Sequence, residues 1–340
     1  MSAERKIDGQ NLITLNPMQK LIESRLSALG IKPHEALGQN FLIDQSSIDI
    51  LVQSLTPGNM VIEVGAGLGQ ITEALAARAS QVTTVEIDRR FEPVLSEISK
   101  KHSNVNVIYG DILAVNLGNI MPENTEGTSV QIVANLPFHI TEPFLHKVIG
   151  LPVDDITLVV GQKLVEEIQA SNEDSIGFGR LSLLAQTFFD IEVVFLIEKH
   201  HILPPPRTTA AIVRFTPKEK GEFKASMRTY ILKKLFDSQK KRPGVKNVIK
   251  DAMAEYTQEG KVLHKRLRNR HSRRSVRMDL RQSLVDYNYQ KTQGAVDTKS
   301  KPPQRSVGEL GIPESILILP FERLNNSELR ILSRALRAIE

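Results

Sequence analysis

The stretch VIEVGAGLGQ, residues 61–70, constrains this chain more than any other. Four residues suited to a buried strand run directly into glycines at 65, 67 and 69, and ITEALAARA, with the periodicity of a helix, follows at once. Strand, glycine turn and helix in that order open a βαβ unit, and such a turn lets the backbone approach a nucleotide-like ligand closely. By itself a run of this kind is equally a tight turn with no ligand, so its meaning depends on its surroundings.

Those surroundings alternate. QVTTVEID (81–88), VNVIYGD (105–111), SVQIVANLP (129–137) and ITLVV (156–160) read as strands. Helices are expected at 70–78, around 91–100, over PFLHKVIG (143–150), at 162–170 and at 180–188, before strands at 191–196 and 210–217. Alternation of this length predicts an α/β fold, with a mainly parallel, doubly wound sheet and helices on both faces. Upstream, PMQKLIESRLSAL (17–29) predicts a helix, and SSIDILVQSL predicts another with Ser46 as its N-cap. Beyond Pro217 the chain becomes charged and helical over 223–257, polar and poor in apolar anchors over 287–308, and helical again over 313–340. The expected organisation is an N-terminal helical extension (1–36), an α/β domain (37–217) and a smaller all-helical C-terminal domain (218–340) with a flexible loop at 287–308.

Composition narrows the chemistry. None of the 340 residues is cysteine, which removes disulfides, thiolate metal sites and cysteine nucleophiles, and no metal site is expected. No apolar run approaches the ~20 residues that span a bilayer, and MSAERKIDGQ lacks the pattern of a secretory signal. A soluble monomer of the cytoplasm or an organelle matrix is expected. The net charge of +5 is unevenly placed: residues 239–281 hold fourteen Lys or Arg against four Asp or Glu. That imbalance points to a polyanion such as RNA, with Lys240, Lys241, Arg242 and Lys246 in one group and Arg266, Arg268, Arg270, Arg273 and Arg274 in another. A merely solvated helix face is the plainer alternative for HKRLRNRHSRR (264–274).

In a doubly wound sheet, ligands sit beyond the carboxyl ends of the strands. Glu86, about 20 residues past the glycine turn, suits a carboxylate accepting bonds from ribose hydroxyls. Asp111 ends the third strand, where it could meet an adenine amine. NAD and S-adenosylmethionine both fit this frame, and Glu63 favours the second because a carboxylate beside the glycines repels a pyrophosphate. The fourth strand adds VANLPF (133–138). Two carbonyls, of the Asn135 side chain and the Leu136 backbone, can accept the N–H bonds of an exocyclic base amine. That draws the nitrogen toward tetrahedral geometry and frees its lone pair for in-line attack on a sulfonium methyl, while Phe138 stacks on a flipped base. His139 reads as structural or solvent-facing rather than as a general base, and His200 and His201 as loop residues.

With GQNFL, EVGAGLG, VEID, YGDIL, NLPF, FGRLSLLAQ (178–186) and LPPPR (203–207) in one order, the chain resembles the ribosomal RNA small-subunit adenine dimethyltransferase family (KsgA type) over about 37–217. The resemblance implies a Rossmann-like, S-adenosylmethionine-dependent methyltransferase domain with a small helical C-terminal domain. It implies N6 dimethylation of two adjacent adenosines in the 3′-terminal hairpin of small-subunit rRNA, on rRNA or a pre-ribosomal small subunit. Its cofactor contacts would come from Gln39, Asn40, Leu42, Glu63, Gly65 and Gly67, and from Glu86, Ile87, Asp111, Ile112 and Asn135. Asn135, Leu136, Pro137 and Phe138 would hold the target base. The chain departs from the family in having Ala66 for the usual Pro, Phe138 for the usual Tyr, and Ile202 where a Phe commonly stacks on the second face of the base. Two related readings stand beside this one: a large-subunit methyltransferase of the erythromycin-resistance type, whose loop usually reads Asn-Ile-Pro, and a methyltransferase-like RNA-binding assembly or transcription factor with little turnover.

Overall fold

The computed structural model describes residues 16–34, 37–121, 129–170, 177–218, 226–238, 243–256, 307–337 and 339. The chain divides into two compact units, Met1–Phe223 and Lys224–Glu340.

The first unit is built on strands β1 (Phe41–Leu42), β2 (Met60–Val64), β3 (Gln81–Glu86), β4 (Val105–Tyr109), β5 (Val130–Asn135), β6 (Asp155–Gly161), β7 (Phe189–Ile197), β8 (Ile202–Leu203) and β9 (Ala210–Pro217). Its helices are α1 (Pro17–Leu29), α2 (Gln45–Gln53), α3 (Gln70–Ala76), α4 (Glu92–Lys101), α5 (Phe138–Val148), α6 (Gln162–Gln169) and α7 (Arg180–Phe188). Seven strands pair in the order β4-β3-β2-β5-β6-β9-β7. The first five run parallel, and β9 and β7 close one edge antiparallel. The central strands are buried because both faces are covered; every residue of β2 is buried, Glu63 included, whereas the edge strand β4 is buried only at Val105. The connection from β2 to β3 moves toward one edge and that from β5 to β6 toward the other. Right-handed crossovers therefore put their helices on opposite faces, and the sequence-adjacent order breaks between β2 and β5.

The mainly parallel sheet expected from the sequence is present, and α1, α7 and β9 have the expected bounds. Two details differ. Helix α2 is capped by Asp44 rather than Ser46: the Asp44 carboxylate accepts the Ser47 amide at 2.8 Å and both serine hydroxyls. A full negative charge at a helix N-terminus outcompetes a hydroxyl there. Helix α5 starts at Phe138, so the NLPF segment is a helix entry and not an extended loop. The short β1–β8 pair has no counterpart among the expected elements, since two residues carry no periodicity.

Residues 1–36 fall in the same unit as the sheet. Ile22 of α1 is fully buried in one cluster with Leu51, Leu75, Phe91 and Leu95, and Met18, Leu26 and Leu29 pack against it. Asn16 caps α1 and the left-handed Gly30 ends it. In the second unit, α8 (Met227–Asp237) and helices over 245–256, Glu314–Leu317 and Asn326–Arg337 bury Leu235, Ile249, Leu332 and Leu336, with Phe236 edge-on to Phe321 at 5.0 Å. The loop expected at 287–308 lies outside the described residues apart from its last two. Among the described residues no helix is long and apolar enough to cross a membrane.

Truncating Ile22 leaves a cavity that α1 cannot close without losing its seat on the sheet. Ile22→Ala should destabilise the first unit by about 2–5 kcal/mol, read as a shift of its urea transition to lower concentration; an unmoved transition would show that α1 is not part of the cooperative core.

Candidate functional site

The break in strand order leaves a crevice at the carboxyl ends of β2, β3, β4 and β5. Register fixes what stands there: Val64 pairs with Val85 and Ala134, and Glu86 with Tyr109. Gly65 and Gly67, directly beyond β2, have φ of 80° and 53°. A Cβ at Gly65 would come no nearer to the protein than Asn135 O, at 3.8 Å, so the space beside this turn is open. Glu86 holds the turn in place, its Oε2 accepting the Gly67 amide at 2.8 Å and its Oε1 the Asp88 amide at 2.7 Å. Burial raises the Glu86 carboxyl above its ordinary pKa, against the pull of those amides.

Glu63 lies behind the turn rather than in the crevice. It is buried, and its Oε2 accepts the Thr72 hydroxyl of α3 at 2.6 Å. Burial pushes its carboxyl from 4.5 up to about 7; the Thr72 and Thr84 hydroxyls oppose the rise and the charge of Glu86 adds to it. From α1, Arg25 donates to Leu68 O of the glycine turn at 2.6 Å and pairs with Glu73 at 2.9 Å.

The second wall is the NLPF segment. Asn135 Nδ2 donates to Asn40 O at 2.6 Å. A backbone carbonyl can only accept, so this bond fixes which end of the amide is nitrogen and leaves Asn135 Oδ1 as the free acceptor. Leu136 is buried and Pro137 half-buried. Gly38 packs so tightly on Pro137 that a Cβ there would lie 2.5 Å from Pro137 Cβ, and its φ is 59°. Phe138 opens α5; its side chain is outside the described set. His139 is exposed in the first turn of α5. His200 and His201 meet edge-on with ring centroids 4.1 Å apart and planes inclined at 60°, and His201 lies 3.8 Å from the Asp44 carboxylate.

The remaining expected cofactor residues separate into two kinds. Ile87 is 53% exposed at the carboxyl edge, and Asp111 is exposed with Oδ1 accepting the Leu113 amide at 2.8 Å. Leu42 and Ile112 are buried, and Leu42 is wholly enclosed in the core cluster. Gln39 turns its amide to the protein: Nε2 donates to Asp88 Oδ2 at 2.6 Å and Oε1 accepts the His34 amide at 2.8 Å. Ile202 pairs with Leu42 across β1–β8, is 5% exposed and belongs to the core. Sequence reasoning assigned no role to Asp88, Arg25 or Gly38. Asp88 and Gly38 lay inside quoted motifs, whereas nothing marked Arg25.

Of the basic residues expected at RNA, Lys246 pairs with Glu314 at 3.1 Å. Lys240, Lys241, Arg242, Arg266, Arg268, Arg270, Arg273 and Arg274 lie outside the described residues. The single aromatic in 239–281, Tyr256, packs on Tyr230 with ring centroids 5.6 Å apart.

A glycine turn at the switch point, a buried acid at the end of the next strand and an Asn-x-Pro segment across the crevice define a Rossmann-like methyltransferase domain. The family model described as ribosomal RNA adenine dimethylase matches residues 30–284, and the chain belongs to that family. The ribosomal RNA small subunit methyltransferase A of Oceanobacillus iheyensis is 37% identical over 187 residues, which cover 54% of this chain and 63% of that protein. That of Bacillus pumilus is 34% identical over 199 residues, 57% of this chain and 68% of its own. A dimethyladenosine transferase from Plasmodium falciparum is similar in structure with a TM-score of 0.48 and 20% identity, over 86% of this chain and 95% of that one.

The raised carboxyl of Glu63 has a measurable consequence. Between 4.5 and about 7 it stays protonated in the folded chain and is ionised in the unfolded one. Its stabilising contribution is therefore complete below pH 4.5, is lost as pH rises to about 7, and is constant above. At 1.36 kcal/mol per pKa unit the loss is about 3 kcal/mol. Glu63→Gln should flatten the pH dependence of urea stability by that amount across this window; parallel curves for the two proteins would place the ionised carboxylate in a better-solvated site.

Proposed function

We propose that this chain transfers methyl groups from S-adenosylmethionine to N6 of adenosine in small-subunit ribosomal RNA, most specifically to the adjacent pair in the 3′-terminal hairpin. The observation that carries the reading is the orientation of Asn135, whose Oδ1 is left free beside the crevice that the glycine turn opens. The family and the names of the bacterial relatives support the substrate class.

The residues present fit the cofactor. Gly65 leaves open space where a side chain would otherwise stand. The acids of the crevice, Glu86, Asp88 and Asp111, suit a cationic ligand better than a pyrophosphate. Glu86 would face the ribose, Ile87 and Ile112 the adenine ring, Asp111 its amine, and Gln39 and Asn40 the amino-acid end, while Leu42 stands behind them in the core and makes no contact. When bound, S-adenosylmethionine supplies an electrophilic methyl on a sulfonium sulfur. The chain's part is to present the nucleophile. Asn135 Oδ1 and Leu136 O accept the two N–H bonds of the adenine amine, Pro137 fixes the turn, and Phe138 stacks on the base. Held this way, the amine nitrogen would be free to take the methyl of the sulfonium, and the acidified amine proton would pass to water without a strong base.

The Asn-Leu-Pro sequence favours the small-subunit reading over the erythromycin-resistance type. Ile202 bears on the alternative with little turnover. Its side chain is in the core and offers no second stacking face, so the base is held from the Phe138 side alone.

Asn135→Ala should lower methyl transfer to unmethylated small subunits by about a hundredfold or more, the scale for one oriented hydrogen-bonding group at a reacting centre. Cofactor affinity should be nearly unchanged in calorimetry. A yield of N6-methyladenosine within twofold of the wild type, by mass spectrometry of the rRNA, would remove Asn135 from the assigned role. Glu86→Ala should instead weaken S-adenosylmethionine binding by roughly 1.5–3 kcal/mol; unchanged affinity would put the ribose elsewhere.

The basic segment 239–281 would contribute phosphate contacts rather than sequence reading. Its one aromatic is taken up by Tyr230, so stacking on bases is not its main resource. Counterion release makes such binding salt-dependent, with a slope of about −0.7 to −0.9 per phosphate neutralised. Replacing Arg266, Arg268, Arg270, Arg273 and Arg274 by Gln should flatten the slope by several units and equally for target and unrelated hairpins. An unchanged slope across a salt series would show that this stretch makes no RNA contact.

A further inference from the structure

Asp88 is a buried carboxylate to which no step of the proposed reaction gives a task. It accepts more bonds than any other side chain of the site. Arg90 approaches with its backbone amide at 3.1 Å and its Nε at 2.9 Å from Oδ1, and with Nη2 at 2.5 Å from Oδ2. Gln39 Nε2 reaches Oδ2 at 2.6 Å from 49 residues away in sequence. The Asp88 amide in turn donates to Glu86. The Arg90 and Gln39 bonds outweigh burial and hold the Asp88 carboxyl down at about 2, so it is ionised at any working pH.

What Gln39 ties down is the short segment that contacts the catalytic wall. Its other amide end takes the His34 amide, its own backbone N–H donates to His34 O at 3.3 Å, and the next residue offers the carbonyl that orients Asn135. One residue earlier, Gly38 sits against Pro137. Segment 38–40 is thus pinned at its middle residue by Asp88 and meets Pro137 and Asn135 with its two ends. Glu86, Asp88, Gln39, Asn40 and Asn135 make one continuous path from the turn that cradles the cofactor to the amide that would hold the base.

We infer that Asp88 is a positioning residue for methyl transfer: its carboxylate anchors Gln39 and, through segment 38–40, sets the orientation of Asn135. Gln39 on this view is first a tie within the protein, and its contact with cofactor is secondary. The anchoring is a property of the protein itself; its effect on turnover rests on the methyltransferase reading above. Asp88 touches neither the base nor the reacting atoms, so it acts on kcat through geometry, where a displacement of about 1 Å costs on the order of a hundredfold.

The test is a reversal of hydrogen-bond polarity. Asp88→Asn sets an amide N–H₂ against the N–H donors of Gln39 or Arg90, and Gln39→Glu sets a carboxylate against a carboxylate. Combined, the amide introduced at 88 can donate to the carboxylate introduced at 39 while its oxygen still accepts the Arg90 amide and Nε, and Arg90 Nη2, which donates to Oδ2 of Asp88, can turn to the carboxylate at 39. Each single change should lower kcat on unmethylated small subunits by about tenfold or more, with cofactor affinity of Asp88→Asn by calorimetry within about threefold, and the double change should recover most of the loss in kcat. Without substrate or cofactor, hydrogen exchange at the Gln39 amide should quicken in each single variant and slow again in the double, by more than any change in exchange at core amides of β2 and β5. A double variant no better than the worse single, or a loss confined to cofactor affinity, would overturn the inference. If the wild type methylates no rRNA the functional reading fails, and the exchange arm still decides the tie: unaltered Gln39 protection in Asp88→Asn would refute it.

Discussion

The two amide bonds accepted by Glu86 are the constraint on which this site depends. One carboxylate, at the end of β3, receives the Gly67 amide from the turn after β2 and the Asp88 amide from its own strand's exit. The bonds run across the sheet, so the glycine turn cannot drift relative to β3. The cost is a buried charge, visible as the upward push on the Glu86 carboxyl that the amides only partly offset. A carboxylate oxygen has more than one lone pair, so fixing the turn does not exhaust Glu86. An amide has one oxygen and could not accept the two N–H bonds through separate atoms, so an acid suits this position; on the proposed reading its remaining acceptor capacity would serve a ligand's hydroxyls.

Much of this arrangement is readable from the sequence, because it is local. The strand–turn–helix at 61–70, the strands at 81–86 and 130–135 and the α7 helix all follow from periodicity and punctuation within windows shorter than twenty residues. Position at a strand's carboxyl end then places Glu86 and Asn135 in the crevice without further knowledge. What is not readable is long-range. The contacts of Gln39 with Asp88, of Asn135 with Asn40 and of Arg25 with Leu68 join residues 49, 95 and 43 apart in sequence, and no local pattern announces them. The Asp44 cap was missed for a different reason. Three capping-competent residues within four positions, at 44, 46 and 47, compete for one helix start, and the winner is decided by charge at the helix terminus.

Helix α1 shows how a segment outside the expected α/β core bears on the site. Ile22 places it against the cluster beneath the glycine turn, and that placement brings Arg25 to the Leu68 carbonyl. The guanidinium satisfies a turn carbonyl and a carboxylate at once, which a shorter or single-donor side chain could not do. Although burial opposes it, the bonds from Arg25 and Lys101 hold Glu73 below its usual range, so the clasp stays charged. Turn, α1 and α3 are thus tied together by Arg25 and Glu73, and residues 17–29 hold the glycine turn as well as the core.

The β1–β8 pair carries the same logic to the base side. Leu42 and Ile202 face one another in the core, so the residues flanking them, Asn40 and the proline run from Pro204, leave the sheet from a fixed point. A phenylalanine at 202 would be larger than the isoleucine enclosed there. To stack on a base it would have to leave the core, uncovering Leu42, or displace β8. Isoleucine resolves that conflict in favour of packing. Its burial supports the stability of the wall that holds Asn40, and so the orientation of Asn135, while removing a second aromatic face for the base. On the proposed reading the chain would rely on hydrogen-bond orientation by Asn135 and Leu136 more heavily than a two-sided stack would require, and a tie holding segment 38–40 in register with Asn135 would be consequential here.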